Sequence, residues 1–243
     1  MMTGVLEPTA GEILVSGRVP YRDRTANAEN IGVVFGQRSQ LWWNLPLIES
    51  FNLLRDIYLV PEKDYREMLE LYRSLVDLEP ILHKPVRQMS LGQRTLSDIL
   101  AAFLHNPGIV FLDEPTIGLD VSMKARIREL ILGLNQVKET TVILTTHDMG
   151  DVDALCKRII IDKGRKIYDN DIEHLKTYFG SYRTLRMRLG DDSWVEQVID
   201  EKKTDVMHVM REMQKEHKIK DIQLQEISTE EVIRKIYEGG ESA

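Results

Sequence analysis

The chain reads as an α/β protein built on a parallel sheet, with a small α+β module at its end. Three observations predict this. Ile109-Val110-Phe111-Leu112 is bounded by Asn106-Pro107-Gly108 and by Pro115, and it ends in Asp113 and Glu114, the pattern of a strand covered on both faces by helices. A second run, Thr141-Val142-Ile143-Leu144-Thr145, closes in the same way on Thr146, His147 and Asp148. From about Leu185 the texture changes: Leu185, Met187 and Leu189 alternate with Arg186 and Arg188, a strand with one wet face.

Taken in order, residues 1–6 carry no cap or turn signal, as if the chain began inside an element. Glu7 to Gly11 reads as a turn and Glu12 to Gly17 as a short strand. Ile31 to Phe35 is a strand that runs into Gly36 and Gln37. Trp42 and Trp43 follow beside a loop; paired aromatics are more often core, although tryptophan is enriched at binding hot spots. Ile48 to Leu82 is helical, with Leu53, Leu54, Ile57 and Tyr58, then Met68, Leu71, Tyr72, Leu75 and Leu78, at helical spacing.

Ser90 is placed to cap a helix whose stripe is Leu96, Ile99, Leu100, Phe103 and Leu104. Another helix follows Asp120, with Met123, Ile127, Leu130, Ile131 and Leu134. Residues 158–168 read as a hairpin with a Lys-Gly turn. In the tail, a charged helix over 203–215 precedes alternating Ile219, Ile222, Leu224 and Ile227. Ser228-Thr229-Glu230-Glu231 is then a capping box for the helix of Val232, Ile233 and Ile236.

The whole-chain figures narrow the function classes. With 243 residues there is room for one large domain, or one domain and an appendage, and 42% hydrophobic with 29% charged residues is ordinary for a soluble globular protein. A net charge of −7 argues against a general nucleic-acid or anionic-membrane surface. The single cysteine, Cys156, forbids an intrachain disulfide and fits a reducing cytosol. No run of about 18 apolar residues predicts a transmembrane helix, so work at a membrane requires a partner.

At the ends of parallel strands ligands bind, and there the motifs accumulate. The segment from Ile109 to Asp120 resembles the Walker B strand and D-loop of an ATP-binding cassette (ABC) ATPase, and Met89-Ser90-Leu91-Gly92-Gln93-Arg94 resembles the family's signature loop. Leu91 stands where the usual motif has glycine, which resembles the branch of type-2 drug-export (drug/viologen-exporter-like) cassettes. The resemblance implies an ABC cassette of the P-loop NTPase kind over residues 1–180, its helical subdomain at about 48–105, and a C-terminal accessory α+β domain over 181–243.

It also implies roles. Asp113 becomes the Mg²⁺-side acid, Glu114 the catalytic base, His147 the switch histidine at the γ-phosphate, and Gln37 a contact to both Mg²⁺ and water. Ser90, Gly92, Gln93 and Asp120 become the residues that meet ATP from the signature loop and D-loop. The implied partners are a membrane-spanning permease subunit and a second cassette, identical or different, with the chain cytoplasmic and peripheral on the inner face of the membrane. Nucleic acid is not among them, since the charge is negative and no long coiled coil interrupts residues 40–90.

One motif is missing from the pattern. No G-x-x-x-x-G-K-[ST] loop occurs in the 243 residues, and the basic stretch from Asp162 to Lys166 lacks the glycine spacing of a phosphate nest. The resemblance therefore implies a cassette cut before its Walker A loop, short by roughly a fifth of a domain of some 200 residues. The expected function is the ATP-binding subunit of an exporter. The alternatives are a non-hydrolysing partner that donates its signature loop in trans, or an inactive remnant.

Overall fold

A computed structural model describes residues 1–36, 38–162, 164–178 and 180–239, which fall into two units, Met1–Asp151 and Val152–Ala243. The sequence placed the division at 180, beyond the hairpin; the second unit includes that hairpin.

The first unit holds α1 (Arg24–Ala28), β1 (Ile31–Phe35), α2 (Leu47–Ile57), α3 (Glu62–Leu75), α4 (Glu79–Leu82), α5 (Leu91–Phe103), β2 (Ile109–Asp113), α6 (Val121–Lys138) and β3 (Thr141–Thr145). The three strands pair in parallel in the order β1-β2-β3. The central strand is the driest: Val110 and Leu112 are no more than 1% exposed. Along β3, in contrast, Val142, Ile143 and Leu144 are only half-buried, and its outer edge has no strand partner among the described residues. Helix α5 approaches β1 so closely that a side chain at Gly32 would meet the Ala102 carbonyl at 2.1 Å, so only glycine fits there.

The expected strand over 12–17 is reduced to one bridge, Val15 with Arg18, around a turn in which Ser16 and Gly17 both have positive φ. Two left-handed residues in a row make the tight reversal of a two-residue hairpin, and too little chain is left on either side to form a ladder. Residues 1–6 are turns and bends, not an element. Trp42 and Trp43 are not core: they are 37% and 50% exposed, and the Arg94 guanidinium lies 5.2 Å from the Trp43 ring centre.

Helix α7 (Met149–Leu155) runs across the unit boundary. The second unit then holds β4 (Arg158–Asp162), β5 (Lys166–Asp171), α8 (Ile172–Tyr178), β6 (Tyr182–Leu189), β7 (Trp194–Asp200), α9 (Val206–Glu216), β8 (Ile219–Glu226) and α10 (Thr229–Gly239). Strands β4 and β5 form the expected antiparallel hairpin; Lys163 of its turn lies outside the described residues. A separate antiparallel sheet, β7-β6-β8, packs Leu185, Met187 and Ile199 against Val206, Val209, Met210 and Met213 of α9. The capping box at Ser228 forms as written: Glu231 N–H donates to Ser228 Oγ at 3.2 Å, and Ser228 N–H to Glu231 Oε2 at 3.3 Å. Strand β7 was not foreseen, because Trp194-Val195-Glu196-Gln197-Val198-Ile199-Asp200 follows no clean alternation.

Candidate functional site

Register brings several of the predicted site residues to one place. Phe35, Asp113 and Thr145 share a row of the sheet, so the chain leaves all three strands at one edge. The ladder is extended a further step, with Gly36 N–H donating to the Asp113 carbonyl and Glu114 N–H to the Thr145 carbonyl, each at 3.0 Å. Just past the row, Gly36 (φ +44°) and Glu114 (φ +49°) both turn into left-handed backbone. For glycine this costs little, whereas at a glutamate it stores about 1 kcal/mol or more of strain and persists only where the surroundings impose it. Gln37, assigned to Mg²⁺ and water, lies outside the described residues.

At that edge the acids find partners. His147 Nδ1 lies 2.9 Å from Glu114 Oε1, and the Glu114 carboxylate holds the imidazole pKa above its ordinary value. With a carboxylate as partner, Nδ1 is the donor. Thr145 Oγ1 donates to Asp113 Oδ1 at 2.5 Å, and the ideal Cβ of a residue at 36 would stand 3.9 Å from Asp113 Oδ2. Asp113, Glu114 and His147, expected to converge, therefore do come together.

The site has a hub that the motifs did not reveal. Asp151, fully buried, accepts from Thr116 Oγ1 at 2.6 Å, Thr146 Oγ1 at 3.0 Å and Arg128 Nε at 2.7 Å. Thr116 stands two residues past Glu114 and Thr146 immediately before His147, so one carboxylate ties both turns to α6. Arg128 also reaches Asp148 at 3.0 Å, and Lys124 pairs with the same carboxylate. A signal existed in the sequence: Lys124 and Arg128 are four apart on one helix, and Asp148 and Asp151 are three apart.

The other predicted residues form a second group. Ser90 caps α5, accepting from Gln93 N–H at 3.2 Å while Gln93 Oε1 accepts from Ser90 N–H at 3.1 Å and from Lys84 Nζ at 3.2 Å. The first-turn amides of Leu91 and Gly92 have no acceptor among the described residues. Gly92 has a packing reason to be glycine, because a Cβ there would come within 2.5 Å of the Met123 side chain. Asp120 caps α6, accepting from Met123 N–H at 2.9 Å. None of these four hydrogen-bonds to Asp113, Glu114 or His147 among the described residues. The two groups are nevertheless neighbours through the turn after β2, where Leu91 Cδ2 lies 3.4 Å from the ideal Cβ position of Gly118.

The donor chemistry at the strand ends suits a magnesium nucleotide in part. Asp113, Glu114 and Thr145 offer oxygen, the element a hard cation selects, but among the described residues no cluster of three acids, histidines or cysteines could enclose a metal. Mg²⁺ is usually held by one or two carboxylates with the remaining oxygens from phosphate and water, which this set matches.

Comparison with known proteins agrees with this geometry. A family model described as "ABC transporter" matches residues 1–117, and one described as "AAA domain, putative AbiEii toxin, Type IV TA system" matches residues 84–153. The ABC transporter ATP-binding protein NatA of Bacillus subtilis (strain 168) is 29% identical over 176 residues, 72% of this chain and 71% of its own length. The ABC-type organic anion transporter ABCA8A of Mus musculus is 27% identical over 96% of this chain, which spans only 14% of that protein.

Among solved structures, cbiO1 from Clostridium perfringens, titled as part of the ABC transporter complex cbiONQ, superposes with a TM-score of 0.63 at 25% identity over 72% of each chain. The cassette MJ0796, in a dimeric post-hydrolysis state bound to ADP and Pi, does so with a TM-score of 0.59 at 26% identity, over 70% of this chain and 77% of its own.

Proposed function

We propose that the chain is an ATP-binding domain of an ABC transporter and that it couples ATP binding and hydrolysis to export through a separate membrane subunit, a reading supported by its likeness to ABC ATP-binding proteins. The observation that carries the hydrolytic part is the pair of Glu114 and His147 at 2.9 Å, the first strained at its backbone, in turns that Asp151 braces through Thr116 and Thr146. Glu114 is the group that orients and deprotonates water; His147, on its Nδ1 side, fixes the carboxylate and keeps a proton close to the developing charge. Asp113 is the metal-side acid, with one oxygen engaged by Thr145 and the other facing Gly36.

Bound Mg²⁺ would neutralise charge on the transferred phosphoryl group. Ser90, Gly92, Gln93 and Asp120 would form the face offered to nucleotide held by a second cassette, with the open amides of Leu91 and Gly92 as anion donors. Gln37 belongs to the metal side by resemblance alone. The assignment of residues 1–180 to the cassette and 181–243 to an accessory module goes with this reading, as does a place on the inner face of the membrane beside the permease. No helix among the described residues is long and apolar enough to cross a membrane. The type-2 exporter branch, rather than another transporter class, rests on the S-L-G-Q-R form of the signature.

The test is ATP turnover with Mg²⁺, measured alone and after mixing with a complete cassette, for the wild type and Glu114→Gln. Loss of a general base costs about 10²–10⁴-fold, so turnover should fall by that factor while nucleotide binding survives. Equal turnover in the two proteins would overturn the role given to Glu114.

A further inference from the structure

The loop that leaves β1 is secured at both ends, and position 37 stands between the two anchors in sequence. On one side Gly36 N–H is fixed to the Asp113 carbonyl. On the other, Asp98 of α5 takes hold: its Oδ1 accepts from Ser39 Oγ at 2.9 Å and from Gln40 N–H at 3.0 Å, while its backbone carbonyl accepts from Gln40 Nε2 at 3.2 Å. Asp98 lies two turns past Ser90 on the same helix. It is 6% exposed and makes no salt bridge among the described residues.

A buried carboxylate without a paired charge is a costly thing to place on a helix face that could have been alanine or leucine. In a helix whose neighbouring positions are Ile99, Leu100, Ala101 and Ala102, all buried and apolar, packing does not explain it. What the carboxylate does is hold a loop. We propose that Asp98 is a positioning residue for hydrolysis, which ties Ser39 and Gln40, just past β1, to the helix of the signature motif. The proposal rests on the reading of this chain as an ABC ATPase, since only then does the segment after β1 bear on hydrolysis.

The charged neighbours are few. Arg94, one turn earlier on α5, favours the ionised carboxylate, and Arg38 and Tyr58 line the same cavity of about 240 Å³ as Asp98, with His105 stacked on Tyr58 at 3.9 Å. Burial outweighs them and lifts the Asp98 pKa to about 6. Hydrogen bonds to an ionised acceptor are roughly twice as strong as neutral ones, so the hold on Ser39 and Gln40 should tighten as pH rises through that value.

This gives a signature that a packing residue would lack. The measurement is the amide NMR signal and hydrogen exchange of Gln40 in the whole chain, from pH 5 to 8, in wild type, Asp98→Asn, Asp98→Ala and Ser39→Ala. In the wild type the Gln40 amide should titrate with a midpoint near 6 and grow more protected above it; Asp98→Asn should abolish the titration. Asp98→Ala should speed Gln40 exchange about tenfold, and Ser39→Ala, which removes one donor and leaves the core untouched, by a smaller factor in the same direction. A Gln40 amide that titrates equally in Asp98→Asn, or is equally protected in Ser39→Ala and wild type, overturns the tether.

Mg²⁺-dependent ATP turnover of the same proteins separates the two claims. Ordered loop behaviour with turnover absent from every protein, alone and mixed with a complete cassette, would refute the ATPase reading and with it the positioning role, while leaving the tether. Turnover insensitive to Asp98→Asn between pH 5 and 8, in a protein that does hydrolyse, would refute the positioning role alone.

Discussion

Two buried carboxylates hold the two sides of the strand-end edge, and they do so in different ways. Asp151 grips the turns after β2 and β3 and carries its own counter-charge, Arg128, at 2.7 Å. Asp98 grips the loop after β1 with neutral donors alone. The first is an ion pair that also holds Thr116 and Thr146, beside Glu114 and His147. The second is a carboxylate in a place that disfavours its charge. A single sheet edge therefore has a side held through an ion pair, near Glu114 and His147, and a side held by neutral donors. The lesson is that a buried carboxylate can be held by different partners: a guanidinium and two hydroxyls at Asp151, a hydroxyl and an amide at Asp98.

The largest test of that contrast is Asp151→Ala. It leaves the half-buried Arg128 with Asp148 as its remaining carboxylate and takes the shared acceptor from two threonine hydroxyls, and losing a buried charge-assisted acceptor of three donors costs about 3–5 kcal/mol. The midpoint of urea unfolding of the first unit should fall accordingly; a change under about 1 kcal/mol would show that the hub does not secure the turns.

Next comes the pH dependence of Asp98. Its folded pKa, about 6, lies above the ordinary carboxylate value of 3.8. Stability linked to a raised pKa is fully present below the unfolded value and lost as pH rises through the folded one. Wild type should therefore lose stability relative to Asp98→Asn between pH 4 and 6, by up to about 3 kcal/mol, and run parallel to it above. Parallel curves across the whole range would show that burial does not raise the Asp98 pKa in solution.

A smaller effect is expected at Ser90→Ala. It removes the hydroxyl half of the α5 cap and should cost about 1 kcal/mol in a thermal or urea unfolding experiment. The smallest, and the most local, concerns His147. Its imidazole pKa is raised first by the hydrogen bond to Glu114, so in an NMR titration Glu114→Gln should move it back down toward 6.5. Sign follows: whatever the pair adds is present below pH 6.5 and fades as pH rises through the raised value. An unmoved histidine would mean that the two are not bonded in solution.

The elements and the acids were legible from local pattern alone. Apolar runs with turn residues on both sides mark β2 and β3, a stripe at helical spacing marks α5 and α6, and Ser90 and Ser228 are caps whose partners lie three residues away in the chain. Such features depend on neighbours in sequence, and a sequence displays its neighbours. Even the meeting of Glu114 with His147 could be anticipated, because both leave parallel strands at their carboxyl ends.

Other features exist only once distant segments are packed. Whether Trp42 and Trp43 face water, that Glu114 is forced into left-handed backbone, and that strand β7 completes the second sheet all depend on contacts across tens of residues. So do the two carboxylate anchors: Asp98 finds Ser39 across 59 positions and Asp151 finds Thr116 across 35. An aspartate in a helical stripe looks the same in sequence whether it is solvated or buried. Only the fold removes the water around it, and the partners it then supplies decide which aspartates become anchors.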